Sequence, residues 1–272
     1  MSSFSVWEKL KQEADEAVKS EPLLASYIYA CVLNHSSFEA SLSFILSNKI
    51  ADNVMSSMAV RELFEKAYAN CPDVINYGKH DLRAVYERDP AVFSMLSVLL
   101  NMKGYLAIQS HRLAHCLWND KRELLALFIQ SRNSEAFGVD IHPAATIGKG
   151  VMFDHATGIV VGETAIIEDD VSIMQQVTLG GTGNETGDRH PKVRSGVLIG
   201  TGATVLGNIE IGRGAKIGAG SVVLKSVEPC TTVVGVPAAV VGTPNCSQPS
   251  HSMQQNVFAD SFDCSDAEVS RS

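Results

Sequence analysis

The hydrophobic period of the chain changes once, near its middle. Over the first half, apolar residues recur at helical spacing, and Val6, Leu10, Ala14 and Val18 form one stripe among Glu, Lys and Gln. Pro22 suits the first turn of a second helix running to Leu33. Apolar stretches at Phe44–Leu46, Val60–Tyr68, Ala91–Met102 and Leu106–Trp118 predict further helices. Pro72 and Pro90 mark boundaries, because the residue before a proline is pushed out of helical geometry. From Ile141 the spacing becomes six: Ile141, Ile147, Phe153, Ile159, Ala165, Val171, Val177, then Val193, Ile199, Val205, Ile211, Ile217, Val223.

A period of six fits neither an α-helix nor a two-sided strand. It fits a triangular parallel β-solenoid, in which each hexapeptide forms one side and small residues turn the corners. Residues 18 apart should then stack at the spacing of adjacent strands, about 4.8 Å. That would align Ile141 with Ile159 and Val177, Ile147 with Ala165, and Asp140 with Gly158. The segment Thr178–Lys192 is ten residues longer than the repeat needs and predicts an extruded loop. The repeat fades through Pro229 and Val236-Pro237. The expected domains are therefore a helical region at 1–139, a solenoid at 140–242 and a mobile polar tail at 243–272.

Composition narrows the function classes. The net charge of −8, without a run of Lys and Arg, argues against nucleic acid as a partner. No segment reaches the roughly 18 apolar residues of a membrane span, and the start, Met1-Ser-Ser-Phe-Ser-Val-Trp-Glu, lacks a secretory pattern. The six cysteines show no C-x-x-C or zinc-like spacing, so a reducing, cytoplasmic setting is expected.

Polar residues stand out on a solenoid built from Gly, Ala, Val and Ile. Asp154-His155 directly follows an inward anchor, and Asp140 precedes another. A carboxylate one strand spacing from His155 would fix its tautomer and stabilise an imidazolium; the same pair reads equally well as corner and surface residues. In the loop, Arg189-His190 offers a guanidinium fork for a carboxylate and a hydrogen-bond donor for an oxyanion. Gly180-Gly181 and Gly183 permit close approach of a ligand, and Glu163 is a candidate supporting group. His142, His155 and His190 also raise a metal site between subunits, although His142-Pro143 reads more simply as a corner. On residues alone three functions stay open: an acyltransferase for a hydroxyl or amine acceptor, a zinc-dependent solenoid carbonic anhydrase, and a non-catalytic scaffold.

The strings Val139-Asp-Ile-His-Pro-Ala-Ala, Asp154-His-Ala-Thr-Gly-Ile-Val-Val-Gly-Glu-Thr-Ala, Val177-Thr-Leu-Gly-Gly-Thr-Gly, Gly187-Asp-Arg-His-Pro-Lys and Gly235-Val-Pro-Ala resemble bacterial serine acetyltransferases. So do Glu21-Pro-Leu-Leu-Ala-Ser and Arg88-Asp-Pro-Ala-Val in the helical half. The resemblance implies an α+β protein, an all-α domain followed by a left-handed parallel β-helix. It implies acetyl transfer from acetyl-coenzyme A to L-serine in cysteine biosynthesis, without a metal. His155 would be the general base and Asp140 its partner. Asp89, Asp154, Arg189 and His190 would hold serine, and acetyl-coenzyme A would lie near Gly181, Thr201, Gly202 and Ala219. L-cysteine would inhibit, and trimers formed through the solenoid would pair into hexamers through the helical domains. Members that dock into cysteine synthase end in isoleucine. This chain ends Ala267-Glu-Val-Ser-Arg-Ser272, with Val269 its nearest aliphatic, so that complex is not expected.

Overall fold

The computed structural model describes residues 5–183, 186–244 and 247–257. Helix α1 (Val6–Ser20) opens on a capping box: the Glu8 amide donates to the Ser5 hydroxyl, and the Ser5 amide donates to the Glu8 carboxylate. It buries Val6, Leu10 and Ala14 of the stripe predicted from the sequence, with Val18 half-buried at its end. A 3₁₀ turn at Pro22–Leu24, α2 (Ala25–Ile28) and a π-helical turn at Tyr29–Leu33 follow. Ser37 and Ser56 cap α3 (Phe38–Ile50) and α4 (Ser57–Asn70). Then come α5 (Asp73–Arg88), α6 (Met95–Asn101), α7 (Lys103–Asn119) and α8 (Glu123–Phe137), which ends on Gly138 in the left-handed region at φ 68°. Helix α6 starts four residues later than its apolar stretch, because Ser94 caps it after the turn at Asp89-Pro90.

Helix α5 has no counterpart among the apolar stretches, and the reason is physical. Its buried face carries Asp81 and Arg88 beside Ile75, Leu82 and Val85, so a hydrophobic pattern understates it. Asp81 is fully buried and accepts from Arg112 Nη2 at 2.7 Å, Gln109 Nε2 at 2.8 Å and the Val151 amide at 3.0 Å. Arg112 in turn donates to the carbonyls of Ile147 and Gly148. This buried pair joins α5 and α7 to the first solenoid corner. Removing one partner of such a pair costs about 3–5 kcal/mol, because the other is left charged and unpaired.

The solenoid has three parallel faces. The first stacks Val139–Ile141, Ile159–Val161, Thr178–Gly180, Thr204–Leu206 and Val222–Val223; the second stacks Thr146–Ile147, Ile166–Ile167, Lys192–Val193 and Glu210–Ile211. The third runs from Met152–Phe153 through Ser172–Ile173, Leu198–Ile199 and Lys216–Ile217 to Thr232–Gly235, and ends in an antiparallel strand at Ala238–Gly242.

The register corrects the expected stacking. Ile141 pairs with Val161, Ile147 with Ile167 and Phe153 with Ile173, so the first coil holds 20 residues (161 − 141) rather than 18. Val160, not Gly158, lies over Asp140, and Gly158 bonds Gly138 instead. Eighteen-residue stacking holds in the later coils, as in Val193 with Ile211 and Ile199 with Ile217. The two extra residues fall between Phe153 and Val161, in the corner that carries His155. The loop is correspondingly shorter: from Leu179 to Val193 it exceeds one repeat by eight residues (193 − 179 − 6). Ile159, Ala165, Val171 and Val177 are nonetheless buried. Both the anchor and the residue two before it point inward, so the six-residue period survives a two-residue slip.

Residues 247–257, part of the expected tail, lie against the third face. Ser172 Oγ donates to the Ser250 carbonyl at 2.9 Å and Lys216 Nζ to the Asn256 carbonyl at 2.7 Å. These outward polar side chains of the solenoid receive the tail, which has no hydrophobic repeat of its own to announce the contact. Residues 258–272, with the Val269 terminus, lie outside the described residues. Among the described cysteines, Cys31, Cys71 and Cys116 are free thiols and Cys230 is disulfide-bonded; the scattered spacing gave no sign of that bond. No described helix is long and apolar enough to cross a membrane.

Candidate active site

The two-residue insertion makes the corner after Phe153 unlike the others. His155 and Ala156 both adopt positive φ, 53° and 61°, followed by Gly158 at 77°. Such φ values are unfavourable for side-chain-bearing residues and persist where neighbours enforce them. Here α7 does so. A Cβ on Gly104 would lie 2.0 Å from the Phe153 carbonyl oxygen, so only glycine lets the helix touch the corner. Lys103 at the start of α7 donates to Thr157 Oγ1. The strained corner lifts the His155 side chain to 71% exposure, while Asp154 beside it remains at 16%.

His155 Nε2 lies 3.9 Å from Asp154 Oδ1. Burial pushes the Asp154 carboxyl above the usual range; His155 opposes that shift, and the nearby charge of Asp89 reinforces it. Asp89 caps the end of α5 in extended conformation, with Oδ1 accepting from the Ala91 amide at 2.8 Å. Asp89, Asp154 and His155 therefore form one cluster, two carboxylates and an imidazole, on the edge between the third and first faces.

Arg189 and His190 gather on the next edge. A Cβ on Gly162 would lie 2.0 Å from His190 Cδ2, so this glycine makes room for the ring. The Thr164 amide donates to His190 Nδ1 at 3.2 Å, which places the ring proton on Nε2. Burial first, then Arg189, lowers the His190 pKa, so the ring is a neutral donor. Thr164 Oγ1 also accepts from the amides of Arg189 and His190, at 3.0 and 3.1 Å. Arg189 Nη2 donates to Glu163 Oε2 at 2.7 Å, and this bond holds Glu163 below the usual carboxylate range.

Asp140 faces outward on the first face, where Gln130 Nε2 of α8 donates to its Oδ1 at 2.7 Å. Among the described residues no direct bond joins it to His155. His142 packs edge-on against Trp118, with ring centroids 5.0 Å apart, and its Nδ1 accepts from the Ala144 amide. His142 lies near Glu163 and His190, whose charges interact with its own, while His155 stands on the other edge, and no cluster of three or more His, Cys, Asp or Glu has metal-binding geometry among the described residues. Thr201 and Ala219 lie on successive coils of the edge that carries His155. Gly202 donates to the Gln175 carbonyl and Gly220 to the Thr201 carbonyl, which leaves the exposed Ala219 as the more open of the two corners. Gly181 stands apart from them, at the root of the loop beside Arg189.

Gln130, Thr164 and Arg88 are contacts that the sequence did not single out. Thr164 gave no signal of its own, since the equivalent positions of other coils are Ala144, Asn208 and Ser226.

This architecture matches known proteins. Residues 6–110 match the family model described as "Serine acetyltransferase, N-terminal", and residues 190–225 match "Bacterial transferase hexapeptide (six repeats)". A serine acetyltransferase of Salmonella typhimurium is 55% identical over 251 residues, 92% of each chain. The chain belongs to the serine acetyltransferase family. Solved structures agree: a serine acetyltransferase from Vibrio cholerae superposes with a TM-score of 0.92 at 53% identity, covering 93% of this chain and 98% of that one. A serine acetyltransferase in complex with cysteine superposes at 0.90 and 53% identity, covering 92% and 97%. The Brucella abortus enzyme in complex with coenzyme A superposes at 0.87 and 47% identity, covering 89% and 96%. This serine acetyltransferase family member carries both the helical N-terminal region and the hexapeptide solenoid of its relatives.

Proposed function

We propose that this enzyme transfers the acetyl group of acetyl-coenzyme A to the hydroxyl of L-serine, with His155 as general base, at a site completed between two subunits. The observation that carries the reading is the division of the polar residues between two edges. Asp89, Asp154 and His155 stand on one, Arg189 and His190 on the next, with the strand Ile159–Val161 between them. At about 3.3 Å per residue, Gly158 and Gly162 are roughly 13 Å apart, more than a serine spans. Packing the first edge of one solenoid against the second edge of a neighbour brings the halves together, as a cyclic trimer requires.

The chemistry of the halves suits a zwitterion. Two carboxylates close enough to repel are relieved by an ammonium, and the Arg189 fork with the His190 Nε2–H suits a carboxylate. Serine's hydroxyl is a weak nucleophile near neutral pH and needs a base at hydrogen-bond distance. His155 accepts its proton as the oxygen attacks the thioester carbonyl. The tetrahedral oxyanion collapses, the C–S bond breaks, and the imidazolium returns the proton to the departing thiolate. A base of this kind contributes about 10²–10⁴-fold. Asp140, steadied by Gln130, is the proposed orienting carboxylate. The exposed corner at Ala219 with Thr201 and Gly202, facing Gly181 of a neighbouring subunit, is the proposed surface for the acyl donor.

L-cysteine shares serine's ammonium and carboxylate, and a relative has been crystallised in complex with cysteine; competitive feedback at this site follows. The exposed Leu23, at 90%, with Leu24 and Tyr27 gives the helical half an apolar surface for pairing trimers into a hexamer. A thiol-release assay with acetyl-coenzyme A tests the reading. L-serine should be turned over, serinamide poorly and sugars not at all, and L-cysteine should inhibit in competition with serine. Equal use of serine and serinamide would refute the Arg189 clasp.

A further inference from the structure

Arg88 closes α5 one residue before Asp89, and it is 7% exposed. Its guanidinium reaches into the solenoid. Nη1 donates to the Gly150 carbonyl at 2.8 Å and to Ser172 Oγ at 3.2 Å, and Nη2 donates to Asp170 Oδ1 at 3.0 Å and His251 Nε2 at 3.0 Å. Three of these partners belong to the solenoid. The fourth belongs to the short helix Pro249–Ser252 of the tail. That helix is itself fastened to the same face, since Ser172 Oγ donates to the Ser250 carbonyl at 2.9 Å and the Ser250 amide to the Gly196 carbonyl at 3.3 Å.

A buried guanidinium is a poor choice if the position only fills space. Desolvation works against its charge, and an apolar side chain of similar volume is often neutral or stabilising in such a place. What the fork supplies is direction: several hydrogen bonds in one plane fix where the end of α5 sits relative to the solenoid. The residue carried by that end is Asp89, whose charge Asp154 feels across the gap between helix and corner.

We propose that Arg88 is the positioning residue for Asp89, and that the tail completes its seat through His251, so that tail placement sets the affinity for the amino-acid substrate. This rests on the reading of Asp89 as a group that holds serine's ammonium. His251 Nε2 also lies 3.6 Å from Asp170 Oδ1, so loss of His251 leaves both Arg88 and its ion-pair partner one contact short and loosens Asp89, while the acyl-donor surface at Ala219 is untouched.

Steady-state kinetics on the full-length enzyme tests this with Arg88→Lys, His251→Ala, Asp89→Ala and the double variant His251→Ala/Asp89→Ala. Losing a hydrogen bond to a charged group is worth about tenfold, so His251→Ala should raise the serine KM by up to about tenfold and Arg88→Lys by at least as much. The acetyl-coenzyme A KM should stay level in both. His251→Ala should add nothing once Asp89 is already alanine, because coupled residues are non-additive. His251 is half-exposed, so its variant carries the test even where Arg88→Lys fails to fold. If Asp89→Ala raises the serine KM but His251→Ala does not, or if His251→Ala raises both KM values together, the proposal is overturned. If Asp89→Ala leaves the serine KM unchanged, the reading of Asp89 falls and the proposal with it.

Discussion

His155, the proposed general base, stands on a strained, exposed corner, which makes its role separable from folding. His155→Ala should lower kcat by about a hundredfold or more, the range of a general base, with the thermal midpoint unchanged because the side chain buries little. Turnover near the parent level would remove the assignment. The neighbouring carboxylates predict a pH effect whose sign is fixed. Asp154 has its pKa raised by burial and by Asp89, and the ionised form is the one that attracts an ammonium. L-serine affinity, measured by calorimetry, should therefore fall as pH drops through that raised pKa. Asp89→Asn removes the like charge, so the fall should move to lower pH even though affinity is weaker throughout; an upward shift would contradict the coupling. In the sequence, Asp154 and His155 stand out as polar residues directly after an inward anchor, and Arg189 and His190 as a charged and polar pair in the extruded loop. Gln130 and Arg88 do not. They are ordinary polar residues on helices, and only tertiary packing brings them to Asp140 and Asp170.

At the scale of elements, the helix–solenoid contact decides the shape of the corner that carries His155. Gly104→Ala exposes this, since two effects oppose each other there. Within a helix, alanine is favoured over glycine by about 1 kcal/mol, yet the new Cβ would stand 2.0 Å from the Phe153 carbonyl oxygen and 3.1 Å from Ala156 Cβ. Overpacking of that kind costs about 1–3 kcal/mol, so the clash should win. The variant should lose both thermal stability and kcat, as α7 is pushed off the corner. A rise in thermal midpoint with unchanged kcat would show that α7 does not shape the corner. The six-residue period made the solenoid readable from Ile141 onward, but it concealed the insertion at 154–160. Ile159 and Val161 both point inward, so the apolar positions alone fit either register, and only strand pairing distinguishes them. The inserted residues are the ones that turn an ordinary corner into the seat of His155.

At the scale of the whole molecule, one chain holds two half-sites on neighbouring edges, and the proposed reaction needs both. The outward residue Val160, 39% exposed between those edges, is apolar surface suited to burial against another solenoid. Subunit complementation tests the shared site most directly. His155→Ala and Arg189→Ala subunits are each prepared, mixed under denaturing conditions, refolded together and assayed at a serine concentration low enough that neither parent variant turns over. Random assembly of a symmetric trimer would give about a quarter of its sites an intact His155 from one chain facing an intact Arg189 from the next, so activity should return to about a quarter of the unmodified enzyme. If the mixture stays as inactive as its components while mixed trimers are demonstrably present, each chain works alone and the shared site is wrong.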